Sequence, residues 1–483
     1  MASQTKNQNR FFIVSILGIA ALTRFWKLAE LFHWTLDEEF WSYVPHNLAI
    51  FENFPLIGGH IGGTGVYSGP VFVWLMGIVF FIVQSNPLGV ALFVSALGVV
   101  TTYFVYKLSQ NFSNRTTALI ASNFYASSTL ATLYDRKYWN ASLSSILGLA
   151  TIFLVQKFKK NPSIKIAIGL IAVLSLGIQA HMTGLVMIVF CFVALFFSTL
   201  EKKWLVAIFL GLVLTHAPLV VFDLRHDFFN TKALISFVTS PKTSETKVSI
   251  YEVADLTINT FGRVLYLPGV DISQELTLCK EYSHSRSRAP SIYLVLVVVI
   301  LGYSLYLLTK KDLLALFLWT NILLVAIYQL LSPSTFYPGL LSEYFYLPSF
   351  GVFIIVLARF LNLFRNRLPE LVFGVVAMVM IINLQTTLNL KHSYGYASKL
   401  EQVESAIKGL DTSSFSLDVV GQSCQVYGYR YLFDWLGYPP SQSYVDSVLG
   451  WLYQSQLENS PETTVVLNNE TQSISVAKRN KSY

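Results

Sequence analysis

Apolar residues along this chain come in blocks of about 16–22, separated by short charged loops, and blocks of that length suit a hydrocarbon layer of about 30 Å. The pattern predicts eleven spans, at 11–29, 88–108, 118–134, 142–157, 166–180, 184–200, 204–221, 291–309, 313–331, 345–362 and 370–388. The block 69–84 is apolar enough to be a twelfth, but it is short and sits between Gly69-Pro70 and Ser85-Asn86-Pro87. Charge arbitrates. If 69–84 lies in the interface, Lys6 and Arg10 share a side with Lys107, Arg115, Lys157–Lys165, Lys202, Lys203, Lys310, Lys311 and Arg359–Arg367. Positive residues collect in the cytoplasm, so that arrangement is the expected one. It places the N-terminus inside and the C-terminus outside. It also leaves the longer polar segments, 30–87, 134–142, 179–183, 222–290, 332–344 and 391–483, on the external face.

From Lys391 the apolar blocks stop. Phe415–Val420 and Thr464–Leu467 are rich in β-branched residues and read as strands; Gln425–Leu436 and Tyr444–Gln454 read as helices. The expected architecture is an all-α polytopic membrane protein of about eleven transmembrane helices plus interfacial helices over 1–390. A small extracytoplasmic α/β domain follows over 391–483.

Composition agrees: 53% of the 483 residues are hydrophobic and 13% charged, against about 25% charged in a soluble domain. The net charge of +7 is spread over short loops and forms no basic face, so nucleic acid is not an expected partner. The first block runs into Arg24 and Lys27 without a small-residue cleavage site, unlike a cleaved signal peptide. Cys191 lies in an apolar block. Cys279 and Cys424 fall outside the membrane, which leaves a disulfide between them open.

The densest chemistry begins at Thr35-Leu36-Asp37-Glu38-Glu39. Thr35 and Glu38 have the spacing of a capping box, and acids suit the first turn of a helix. A cap needs one acid, so Asp37 is left over. Trp41, Val44, Leu48 and Phe51 make one apolar stripe, which predicts a helix resting in the headgroup region. Pro45 either kinks it or begins its regular part. A carboxylate at the membrane boundary, its pKa raised by partial burial, can take the proton of an acceptor hydroxyl or amine. Glu38 or Asp135 could assist by holding a divalent metal, the one cofactor considered, or by positioning the acceptor.

Other polar groups share this face. Tyr134–Asn140 combines Asp135, Arg136 and Lys137 with three aromatics, either as an interfacial belt or as a sugar platform with a phosphate-binding Arg136. His181 sits in a tight connection. Arg225 and His226 open the longest loop, where Asp223 and Asp227 are alternative partners for Arg225. Arg263, Lys280, Arg286 and Arg288 are further phosphate candidates that nothing distinguishes. Tyr344 and Tyr346 are belt residues or line a groove. The glycines of Gly58–Gly65 read as a flexible link between two interfacial helices.

Taken together, the chain resembles the GT-C glycosyltransferase superfamily. It is most similar to the glycosyltransferase family 39 and protein mannosyltransferase branch, with the lipid A aminoarabinose transferase as a cousin. The residues that carry the resemblance are Leu36–Glu39, the helices around Trp41–Phe51 and Pro70–Gln84, Tyr134-Asp135-Arg136, Gln179-x-His181-x-Thr183, Phe222-x-Leu224-Arg225-His226 and Tyr344-x-Tyr346-Leu347-Pro348. They cover about 11–362. The resemblance implies an inverting transfer from a polyprenyl-phosphate sugar donor to a lipid, glycan or protein acceptor at the extracytoplasmic face of the plasma (inner) membrane. It implies Asp37 as the catalytic carboxylate, with help from Glu38 or Asp135, and Arg136, Arg225 or His226 on the donor phosphate. Glu39 and Phe40 replace the small residues usual after the acidic pair, which puts the shape of the acceptor site in question. The rival readings are a lipid-linked sugar transporter or flippase, and a non-enzymatic cell-envelope scaffold. A transporter would place ionisable groups nearer the bilayer midplane.

Overall fold

A computed structural model describes residues 2–51, 54–61, 64–239, 248–276, 286–331, 342–411, 414–421, 425–453, 461, 463–469, 471 and 473–478. Cys279 and Cys424 lie outside the described residues, as does Lys280. All eleven stretches read as spans are helical. Among the described residues, length and apolar content carry six crossings, or seven if Lys203–Thr215 and Ala217–Arg225 count as one broken span. That is fewer than the eleven expected. Four stretches make the difference: Ile164–Ala180 and Gly184–Phe196 are apolar but short, 118–134 is two helices, Arg115–Ser127 and Thr129–Arg136, and 11–29 belongs to a helix, Ala2–Phe25, whose first turns are polar.

Local chemistry explains the ends and breaks. Helix Pro87–Phe112 starts with proline at its first position, and the Asn86 side chain accepts the Leu88 amide at 2.9 Å, a polar cap followed by a residue with no N–H to leave unpaired. The pair Lys203–Thr215 and Ala217–Arg225 bends by 44°; Pro218 cannot donate to the carbonyl four residues back. At the centre of the bundle, helix Phe350–Phe364 is buried at every position from Phe350 to Ala358. It therefore reads as uniformly apolar rather than amphipathic.

Two short helices lie beside the bundle. Val71–Ile82 has 12 residues, about 18 Å at about 1.5 Å per residue, too short for a hydrocarbon layer of about 30 Å. Leu36–Ala49 is one continuous helix with Pro45 inside it, so Pro45 does not begin its regular part. Proline here frees the Trp41 carbonyl, and the Tyr138 hydroxyl donates to that oxygen at 2.5 Å.

The apolar stripe of this helix is covered by protein at its start. Trp41 packs edge-on against Phe72 at 5.3 Å, and only the end around Ile50 and Phe51 is strongly exposed. A short antiparallel pair, His60–Ile61 with Val66–Tyr67, joins the two helices. Gly58 and Gly59 are there for close packing, since a Cβ on Gly58 would lie 2.4 Å from Ser68 Oγ and one on Gly59 2.2 Å from the Trp41 ring, whereas Gly65 takes a left-handed φ of 74°.

The C-terminal region forms a four-stranded sheet in the order Gln442–Ser443, Ser416–Val420, Thr463–Asn468, Ser473–Lys478. The first three strands are parallel and the last antiparallel. Helices Tyr396–Lys408 and Tyr429–Trp435 accompany it. Thr463–Asn468 alternates buried and half-buried positions, as a strand with one covered face does. The long helix read at Tyr444–Gln454 is a four-residue turn of helix, Asp446–Leu449.

Candidate active site

The three acids at the start of helix Leu36–Ala49 have three different surroundings. Glu38 is fully buried. One oxygen accepts the Thr35 amide at 2.9 Å and the Thr35 hydroxyl at 3.0 Å, within the expected capping box. The other meets the Lys137 ammonium at 2.5 Å. Glu39 is also fully buried, and its oxygens accept the backbone amides of Gly428 at 2.8 Å and Tyr431 at 3.0 Å. It is an anion at the start of a helix in the C-terminal region, where amides have no partners of their own. The unusual residue of the acidic run is thus a hook for that region.

Asp37 differs from both. Its nearest cation is Lys137, 3.6 Å away. Protein crowds it enough that burial raises its pKa, with the Glu38 charge adding to the rise and Lys137 opposing it. Yet 43% of its side-chain surface is open. A crowded group with open surface lines a recess.

Lys137, which sequence reasoning left as a belt cation, lies 4.9 Å from the Trp139 ring. Trp139 meets Tyr344 edge-on at 4.9 Å, and His181 packs 5.6 Å from Tyr344. The Asp37 charge acts on the Tyr344 phenol, as does that of Arg286. Four separate segments therefore converge: the acidic helix, the loop after Arg136, the connection at His181 and the turn at Tyr344. The Thr183 amide donates to His181 Nδ1 at 3.3 Å, and burial lowers the imidazole to about 4. His181 is therefore neutral at physiological pH, with Nε2 as the protonated nitrogen.

Other expected site residues have different work. Asp135 accepts from Arg24 Nε at 3.1 Å and Nη2 at 2.8 Å, and from the Tyr125 hydroxyl at 3.2 Å. The Arg136 guanidinium donates to the carbonyls of Arg24 at 3.0 Å, Trp26 at 2.9 Å and Thr23. It closes the end of the first helix and is buried. The Asp135 carboxylate is thus engaged inside the fold, and Arg136 is engaged on backbone carbonyls through Nε and Nη2 while its buried Nη1 has no hydrogen-bond partner among the described residues. Arg225 and His226 are exposed; His226 stacks on Phe222 at 4.2 Å, and no described contact joins either to Asp37.

Asp223 serves the backbone, accepting the Asn230 and Thr231 amides at 2.7 and 3.0 Å. Arg263 is buried, 2.6 Å from Glu275 and 3.5 Å from Glu343, and Arg288 pairs with Asp255. The charges of Arg286 and Arg263 both act on Tyr134, and that of Arg286 also acts on Tyr344.

Among the described residues, no group of three or more His, Cys, Asp or Glu could hold a metal ion. The donor set explains this: Glu38 is taken by Lys137 and Thr35, Asp135 by Arg24, and Asp37 already has an ammonium beside it. These residues do not fit a divalent cation.

The C-terminal region holds the acidic helix along its length. Trp34 Nε1 donates to the Gly428 carbonyl at 2.7 Å, and Lys399 Nζ to the carbonyls of Trp34 at 2.7 Å and Tyr427 at 2.6 Å. The Tyr43 hydroxyl donates to Asp434 at 2.6 Å and Asn47 Nδ2 to the Leu452 carbonyl at 2.7 Å. Burial lowers the Lys399 ammonium to about 7, against the pull of Glu39 and Glu38.

Residues 67–222 match the sequence profile of the family described as dolichyl-phosphate-mannose-protein mannosyltransferase. Among solved structures, ArnT from Cupriavidus metallidurans bound to undecaprenyl phosphate superposes with a TM-score of 0.57 at 12% identity, covering 94% of this chain and 92% of that one. The chain has the GT-C glycosyltransferase fold. The apo state of the same ArnT superposes with a TM-score of 0.51 at 12% identity, covering 96% of this chain and 93% of that one. The oligosaccharyltransferase from Archaeoglobus fulgidus in complex with zinc and sulfate gives 0.50 at 10% identity, covering 94% and 67%. No curated protein matches the sequence. The profile match includes the loop at Lys137 and the connection at His181, and stops short of both the acidic helix and the C-terminal region.

Proposed function

We propose that the Asp37 recess transfers a sugar from a polyprenyl-phosphate donor to an acceptor at the extracytoplasmic face of a multi-pass inner-membrane protein. The observation that carries this reading is the difference among the three acids. Glu38 and Glu39 have both oxygens occupied, while Asp37 keeps open surface beside Tyr344. The distribution of Lys and Arg over the loops supports the assignment of the face.

In the proposed reaction the acceptor hydroxyl or amine attacks the anomeric carbon from the side opposite the phosphate. Its proton passes to an Asp37 oxygen. The bond from the anomeric carbon to the phosphate oxygen breaks, and polyprenyl phosphate leaves with the electron pair, so the anomeric centre inverts. Lys137 favours the ionised form of Asp37 before attack. Arg286, whose charge acts on the Tyr344 phenol, is assigned to the donor phosphate, and the half-buried Tyr344 ring to the sugar. ArnT bound to undecaprenyl phosphate, on the same fold, supports a donor of this class.

The test is Asp37→Asn in a purified transfer assay with polyprenyl-phosphate sugars. Transfer should disappear while the protein remains folded by gel filtration and thermal melting. Retained transfer at the wild-type rate overturns the reading.

A further inference from the structure

Just before the acidic helix, two histidines from distant parts of the chain face one another. His33 Nδ1 and His392 Nε2 share a hydrogen bond of 3.0 Å, with the ring planes 14° apart. His33 is buried, and His392 is half-buried with its Nδ1 enclosed. The turn that carries His392 opens the C-terminal region and is pressed onto the segment before Asp37. The Tyr396 amide donates to the Phe32 carbonyl at 2.9 Å, and a Cβ on Gly395 would lie 2.3 Å from the Glu30 carbonyl oxygen.

The contact is built for neutral rings. A neutral imidazole has one N–H and one bare nitrogen, whereas an imidazolium has two N–H groups that both need acceptors. The Thr35 hydroxyl donates to Glu38 at 3.0 Å, which leaves it to accept from His33 Nε2 at 3.5 Å. His33 Nδ1 is then the acceptor and His392 Nε2 the donor. The bare nitrogen of the pair is His392 Nδ1, which has no hydrogen-bond partner among the described residues. A proton added there makes an enclosed N–H with nothing to receive it, a costly arrangement.

The surrounding charges act in the same direction. Burial above all holds both imidazoles well below the ordinary histidine value of about 6.5. The charges of Lys137 and Lys399 add to this at His33, and those of His33, Lys399 and Lys137 at His392. Lys137 comes from the loop after Arg136, and Lys399 from helix Tyr396–Lys408. The nearby acids are engaged elsewhere: Glu38 with Lys137, Glu39 with the Gly428 and Tyr431 amides, Glu30 with Lys27 at 3.2 Å, and Asp271 with the Ser273 hydroxyl at 2.6 Å. Lys391, next to His392, is exposed. The two ammonium groups also oppose a metal ion between the rings, and no third His, Cys, Asp or Glu stands with them among the described residues.

We propose that the His33–His392 contact is a proton-sensitive latch, closed while both rings are neutral and opened by mildly acidic surroundings, which releases the C-terminal region from the start of the acidic helix. The sign follows from proton binding. Below about 6.5 the open form takes up protons that the closed form excludes, so closure is at full strength above that pH and weakens as pH falls through it. Lys399, lowered to about 7 when closed, has largely finished titrating above that window. Glu39, raised by burial, takes its proton more readily closed than open, so its titration opposes opening. The latch does not depend on the transfer reaction.

The test follows amide hydrogen exchange in the full-length protein, corrected for the intrinsic effect of pH, in peptides containing Tyr396, Gly428 and Tyr431. Helix Phe350–Phe364 is the internal control. Between pH 7.5 and 5.5, protection of the three amides should fall about a hundredfold, about tenfold for each ring that must be neutral, with the control unchanged. His392→Gln should reduce the fall to about tenfold, and His392→Gln with His33→Asn should abolish it. No fall in the wild type overturns the proposal, as does a fall in the double variant equal to that of the wild type. Should the variants fail to fold, hydrogen exchange at the imidazole C2 positions of the wild type, read by mass spectrometry, reports the titration of each ring. Both rings titrating below about 6.5 sustain the latch, and either ring titrating at or above that value overturns it.

Discussion

The recess at Asp37 and the seam at Glu39 lie two residues apart and use the same functional group in opposite ways. At the seam, a carboxylate meets two backbone amides and has no surface left. At the recess, a carboxylate meets one ammonium at 3.6 Å and keeps 43% of its surface open. Glu38, between them, links the two, because its partner Lys137 is also the cation of Asp37. Acids in one helical turn thus divide into one with open surface and two that hold it in place. Reactivity in such a run follows from which side chain lacks a second partner, not from charge density.

The largest effect expected is at the recess. Asp37→Asn should lower kcat by about 10²–10⁴-fold, the usual range for a general base, without a change in melting temperature. A comparable loss from Glu39→Gln with an unchanged fold would erase the distinction.

Next is the shared cation. Lys137→Met leaves the buried Glu38 carboxylate without its partner, which should cost about 3–5 kcal/mol of stability, read as a fall in melting temperature. Restoring stability with Glu38→Gln in the same chain would show that the cost lies in that pair.

Glu39→Ala leaves the Gly428 and Tyr431 amides unpaired and should cost about 2–3 kcal/mol. The readout is faster limited proteolysis between 390 and 430. Protection equal to the wild type would remove Glu39 from the seam.

A finer test is the pH profile. Burial raises Asp37, and a general base acts only when ionised. Transfer should therefore fail, as pH drops, at a higher pH than an ordinary carboxylate near about 4 would give. Removing the opposing cation with Lys137→Met should move this acid limb further up. A limb that does not respond to Lys137 would assign it to another group.

The smallest effect belongs to Arg225→Ala. The residue is exposed and away from the described contacts of the recess, so kcat/KM for the donor should change by no more than about twofold, in line with an ordinary surface substitution.

What the sequence made legible was local. Block length placed the helices, and the Thr35–Glu38 spacing indicated the turn that carries Asp37, because each needs only residues within one or two turns. What the sequence did not show involves distant partners. Arg136 resembles a headgroup ligand until the end of the first helix, 112 positions earlier, supplies it with carbonyls. Glu39 looked like an alteration of the acceptor site because nothing nearby in the chain uses it. Trp41, Val44 and Leu48 gave the periodicity of a surface helix, and periodicity does not reveal whether lipid or another helix covers the stripe. His181 and Tyr344 were reachable as polar or aromatic residues at the ends of apolar blocks.

Glu39 and Gly428 are 389 positions apart, and Lys399 reaches back 365 positions to Trp34. At a translation rate of about 5–20 residues per second, the acidic helix waits about 20–80 s for its clasp to be synthesised. A nascent or prematurely terminated chain carries Asp37 but not the parts that orient it. The order of synthesis thereby leaves the acidic helix unclasped until residues 399–431 have been made and have folded back onto it.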